Sequence, residues 1–170
     1  MLPKTEEGIR MEMDLGIQML LSCFQQLRIA GQVEGFEREA TLRVASNRVF
    51  LCVEHFANAL VLGEFGAYSK RHMMDVEKYV EAKNRLGLKS DVKGLYIGSY
   101  DLRSFADYGA DRGRQAFTYD AILTLARQAW DLLMEMMQTV AKINANELGA
   151  KILLVEKEIA LNGRPTPPDT

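Results

Sequence analysis

Proline is nearly missing from the body of this 170-residue chain: Pro3 stands at one end, Pro165, Pro167 and Pro168 at the other, and none lies between. Proline lacks an amide hydrogen and clashes with the preceding helical turn, so its absence leaves long helices free to run. Cysteine is scarce as well. Cys23 and Cys52 are too few for a disulfide framework and too isolated for a zinc site, and a reducing, cytoplasmic setting fits best. No apolar run approaches the ~18 residues of a membrane span. The opening MLPKTEEGIR has no apolar stretch of the signal-peptide kind. The formal net charge of −2 argues against bulk electrostatic binding to nucleic acid, but leaves room for a local basic site.

Several chemistries lack their residues. There is no Glu-x-x-His pair, since Cys52 and Ser69 stand three before His55 and His72, so a helical di-metal carboxylate site has no basis. There is no Gly-x-Gly-x-x-Gly and no Gly-Lys-Ser/Thr loop, and no Ser or Cys in a recognisable nucleophile motif. No metal or cofactor is expected. With two histidines in all, the list of general bases is short.

What remains is helical. The composition, 48% hydrophobic and 26% charged, is that of an ordinary globular domain, and the apolar period between the glycines is that of a helix. Helices are expected over about 6–30, 35–62, 70–86, 118–143 and 147–162, with a glycine-containing loop KSDVKGLYIGSY and a short piece DLRSFADYG before the fourth. Thr118 suits the cap of that fourth helix. The expected fold is all-α: an antiparallel up-and-down bundle of four to five helices over residues 1–162, followed by a disordered Pro-rich tail over 163–170.

The second helix carries the functional signal. Leu42, Ala45, Val49, Val53, Phe56 and Leu60 form one apolar stripe. About 120° around lie Val44, Leu51, Ala59 and Leu62, with Arg48 and His55 among them. Asn47, Glu54 and Asn58 take the polar side. Two apolar faces need two partners: one is the core, and a second copy across a two-fold axis is the simplest cover for the other. Arg48 and His55, seven apart, then face their own copies. An imidazole can take a proton from a hydroxyl; a guanidinium grips phosphate oxygens. Together they can cleave a phosphodiester through the neighbouring 2′-hydroxyl, which RNA has and DNA lacks.

The stretch SNRVFLCVEHFANALVLGEFGAYSKRH, with Arg48, six residues and His55, resembles the motif helix of the HEPN-domain family. The downstream LRSFADYG, with Leu102, Arg103, Ala106, Asp107, Tyr108 and Gly109, resembles the segment before that family's last long helix. The likeness covers about residues 10–143. It implies a helical bundle that dimerises through the motif helix, and metal-independent RNA cleavage with Arg48 and His55 in a composite site. It further implies a toxin or phage-defence role, with a small nucleotidyltransferase as cognate antitoxin, or else a non-catalytic RNA-binding or adaptor module. Asn47 and Glu54 are supporting candidates. Two positions depart from the pattern: the polar residue that often follows the Arg is Val49 here, and the tyrosine two after the His is Ala57.

Other cations are weighed beside this pair. Lys70, Arg71 and His72, expected to open the third helix, are candidate RNA contacts or a solvated turn. Arg112 and Arg114, in a glycine-rich basic loop, are candidate contacts to a phosphate backbone. Arg103 and Asp107, four apart, read as an intramolecular pair.

Overall fold

The computed structural model describes residues 4–68, 75–108, 118–140 and 142–162. Lys70, Arg71, His72, Arg112 and Arg114, and the 163–170 tail, lie outside them. The described residues form six helices and no strand: α1 (Lys4–Ala30), α2 (Gly35–Phe65), α3 (Val76–Arg85), α4 (Val92–Tyr108), α5 (Tyr119–Thr139) and α6 (Ala145–Asn162). None is long and apolar enough to cross a membrane. The all-α class stands. The expected count of four to five helices is corrected to six.

The correction comes from the glycine-containing segment, where the expected loop KSDVKGLYIGSY is helix from Val92 onward. Val92, Leu95, Tyr96, Ser99, Leu102 and Ala106 are buried and recur every three or four residues, so one face of α4 goes into the core. That burial outweighs the propensity cost of two glycines. Gly98 also helps directly, because a Cβ there would sit 3.3 Å from a Leu125 methyl, so its absence lets α4 lie close to α5. The start of α4 is held from α5 as well. Just ahead of it the Glu135 carboxylate accepts the Ser90 amide at 2.9 Å, the Lys89 amide and the Ser90 hydroxyl, while Asp91 caps the first turn by accepting the Gly94 amide at 2.9 Å. These bonds hold Glu135 below the ordinary carboxylate range although burial opposes its charge.

The hairpin of α1 and α2 is the spine of the fold. The α1 stripe of Ile9, Met13, Ile17, Leu20, Phe24 and Leu27 is buried against α2's Val49, Val53, Phe56 and Leu60. Contact is closest at Gly16, where a Cβ would fall 2.5 Å from the Phe56 ring. The C-terminal end of α2 is also set by specific groups. Gly66, at φ 71, closes its last turn by donating to the Leu62 carbonyl, and Lys142 donates to the Gly63 carbonyl at 2.9 Å. Helix α4 runs antiparallel to α2: Arg43 bonds the Ala106 carbonyl, and Phe50 meets the rings of Tyr96 and Tyr100 edge-on. Helix α6 runs parallel to α1, tied by Asp14–Lys151 at 2.8 Å and Arg28–Glu158 at 2.9 Å. The short α3 covers the far end of α2 and α4 with Tyr79.

Smaller expectations resolve in the same frame. Thr118 caps α5 by accepting the Ala121 amide at 3.1 Å. Arg103 pairs with Asp107 at 3.5 Å and lies over the Phe50 ring, 4.7 Å from its centroid. Tyr119 closes one end by donating to Asn162 at 3.3 Å.

Candidate functional site

Seven residues of helix are two turns to within about 20°, so Arg48 and His55 leave α2 on nearly the same side, about 10 Å apart along its axis. The same spacing recurs on α1. Glu12 and Met19 are seven apart and stand on the edge of α1's apolar face, about 60–80° from Ile9. Because the helices are antiparallel, the two ladders meet: Glu12 faces His55 and Met19 faces Arg48.

Glu12 is the centre of a polar network. Its Oε2 lies 2.7 Å from His55 Nδ1 and 3.5 Å from the Asn58 amide nitrogen, and its Oε1 accepts the Tyr68 hydroxyl at 2.8 Å. Tyr79 donates to Asn58 Oδ1 at 3.3 Å, tying α3 into the same group. Glu12 is 5% exposed, the only buried carboxylate among the described residues. Burial works against its charge, yet His55, Tyr68 and Asn58 together hold its pKa below the ordinary value of 4.5. The carboxylate is therefore ionised at neutral pH and acts as an acceptor toward its neighbours. Burial and the neighbouring Glu12 charge in turn push the Tyr68 phenol up to about 12. The His55 side chain stays 22% exposed, and among the described residues its Nε2 makes no hydrogen bond.

Arg48 has the opposite character. Among the described residues no carboxylate reaches it; its one contact is Nη1 to the Met19 sulfur at 3.6 Å, and its buried Nε has no acceptor. A thioether is a poor acceptor. A half-buried guanidinium with only that is a cation short of a counter-charge. Ala59 and Leu62 are buried within the chain rather than awaiting a second copy; Leu51 is half-buried and Val44 exposed. Asn47 and Glu54 are half-buried on the neighbouring side of α2. Glu54 lies near enough to raise the Tyr79 phenol, after burial and the adjacent Tyr96.

Two residues central to this site, Glu12 and Tyr68, were not among the sequence candidates. The signal for Glu12 was an acid on the flank of an apolar helical face. Tyr68 follows α2 and left no periodic signal.

A larger hollow of about 770 Å³ runs between α4 and α5, with Asp91, Asp120 and Asp131 on its rim and Leu95 and Leu125 on its floor. It has neither an imidazole nor a cation among its lining residues, so it supplies no phosphate grip. The pairing of an imidazole with a guanidinium is found instead on the Arg48–His55 stripe. The thiols of Cys23 and Cys52 are fully buried, and burial pushes both well above the ordinary thiol range, which removes them as nucleophiles. No protein-family model matches the sequence, and no curated protein is similar to it.

Proposed function

We propose that this chain is a homodimeric, metal-independent endoribonuclease of HEPN type, built on the helical-bundle arrangement that the resemblance implies. It acts in the cytoplasm as a toxin or in phage defence, with a nucleotidyltransferase as its natural restraining partner. The observation that carries this reading is Arg48: a half-buried guanidinium that no carboxylate reaches among the described residues, on the same stripe as a base-capable imidazole. A phosphodiester supplies the missing anion.

The ~10 Å axial offset between Arg48 and His55 is too long for both to act on one phosphate from a single helix. A second copy removes the difficulty. If α2 crosses its twin antiparallel about a two-fold axis near Leu51, Arg48 of one copy comes beside the partner's His55, and the reverse. His55 Nε2 takes the proton of the 2′-hydroxyl. The 2′-oxygen attacks phosphorus and the bond to the 5′-oxygen breaks, that oxygen taking a proton from water while the imidazolium returns its own to solvent, giving a 2′,3′-cyclic phosphate and a 5′-hydroxyl end. Arg48 neutralises charge on the non-bridging oxygens as phosphorus becomes five-coordinate.

The test is cleavage of a mixed RNA pool by the full chain, with end-group analysis and light scattering for the dimer. His55→Ala is expected to lose at least about 100-fold, and Arg48→Ala about 100- to 1,000-fold, both as intact dimers. DNA of the same sequence is expected to survive. Undiminished cleavage by His55→Ala sinks the reading. One observation favours a second reading, a non-catalytic RNA-binding or adaptor module. Val49, where catalytic members often carry a polar group, is 0% exposed in the core. Retained RNA binding with no cleavage by the parent protein selects it.

A further inference from the structure

We propose that Glu12 is the positioning residue of the site: its carboxylate holds His55 in the Nδ1–H tautomer and so leaves Nε2 as the proton acceptor. The inference rests on the reading of His55 as the base, but its first test does not.

The geometry makes Glu12 more than a staple between two helices. A staple needs only a neutral pair, and an ionised carboxylate is a costly choice for a site that is 5% exposed. Here the charge is kept by three donors arranged around both oxygens. Oε1 is taken by Tyr68, and Oε2 is shared by His55 and Asn58. Rotating the carboxylate away from the ring breaks the Tyr68 bond as well. Asn58 cannot turn to release it without losing Tyr79. The imidazole therefore meets an acceptor that is fixed on every side, and only one ring nitrogen can carry the proton toward it. In a neutral histidine the other nitrogen is then the lone-pair nitrogen. A carboxylate orients an imidazole in this way in the Ser-His-Asp triad, where the ring accepts a proton from a hydroxyl.

The charged and titratable groups around the ring come from every side of the site. Glu12 lies on α1, Glu54 and Arg48 on α2, Tyr68 after it and Tyr79 on α3. Of these only Glu12 bonds the ring. Sequence alone does not pair Glu12 with His55, because they are 43 residues apart and meet only through the antiparallel register of α1 and α2.

The protein has two histidines, so nitrogen NMR of the full chain resolves the tautomer directly, with His72→Ala assigning the second signal set. At a pH where the ring is neutral, His55 is expected as the Nδ1–H tautomer. In Glu12→Gln it is expected to pass to a mixture, and Glu12→Asp is expected to restore part of the preference. Tyr68→Phe, which spares the Glu12–His55 bond, is expected to keep the tautomer. Cleavage by Glu12→Gln is expected to fall at least tenfold, with partial recovery in Glu12→Asp. A parent His55 found as Nε2–H overturns the proposal without any variant. So does a Glu12→Gln protein with the parent's tautomer and the parent's rate. Loss of the tautomer with full cleavage by His55→Ala separates the two claims: the positioning then stands and the ribonuclease reading falls.

Discussion

Glu12 shows how one residue joins stability to the site. Its folded pKa is depressed, so its stabilising contribution is fully present above the ordinary carboxylate value of 4.5. That contribution is lost as pH falls through the lower folded-state value. A buried hydrogen-bonded carboxylate of this kind is worth about 1–3 kcal/mol. Glu12→Gln is accordingly expected to be less stable than the parent by about that much at pH 7, and the gap is expected to narrow at acid pH, below the ordinary value of 4.5. Urea denaturation at both pH values measures it. At this scale the sequence was half legible. Arg48 and His55 stand out because their spacing is local, seven positions on one helix. Glu12 does not, because its meaning lies in a contact across two helices. A wheel shows only that an acid sits beside an apolar face, and such acids are often solvated.

Helices were readable where one apolar face repeats without interruption. The α1 stripe from Ile9 to Leu27 and the α5 stripe from Ile122 to Met136 were expected and are buried. The α4 helix was misread because Gly94 and Gly98 look like breaks in a linear sequence. What decides their role is the neighbour: Asp91 caps the helix against the Gly94 amide, Glu135 holds the segment just before it, and Leu125 fills the space beside Gly98. Gly16 marks a similar dependence in α1. Gly16→Ala gains up to about 1 kcal/mol of helix propensity. Its methyl, however, enters the Phe56 ring, and overpacking of that kind costs about 1–3 kcal/mol. The expected net effect is a loss of about 1 kcal/mol, or about 2–4 °C in a thermal melt. Pairing it with Phe56→Leu is expected to recover part of the loss. An unchanged or raised midpoint for Gly16→Ala contradicts the close contact.

Across the whole molecule the absence of proline between residues 4 and 164, with the helical apolar period, set the all-α class correctly. The assembly of helices around α2 was not legible, because it depends on which faces meet. The two cysteines report on that assembly. Cys23 on α1 and Cys52 on α2 are both 0% exposed. Burial, and for Cys52 also the nearby Cys23, holds the thiols protonated. Neither is expected to react with a thiol reagent in the native protein at neutral pH, and both are expected to react in strong denaturant. The two should appear together, since the α1–α2 hairpin cannot open at one without exposing the other. Fast native labelling of one alone would show that the hairpin breathes independently of the rest.

The matched ladders on α1 and α2 carry a last consequence. The bend at 31–34 can grow, since longer connections cost little. The count between Glu12 and Met19 cannot. One inserted residue there swings whatever follows by more than a quarter of a turn, and either the imidazole or the guanidinium loses its opposite number. The hairpin thus works as a vernier: its two marks agree at a single setting, and a chain of this kind tolerates drift at its tip but none along its scale.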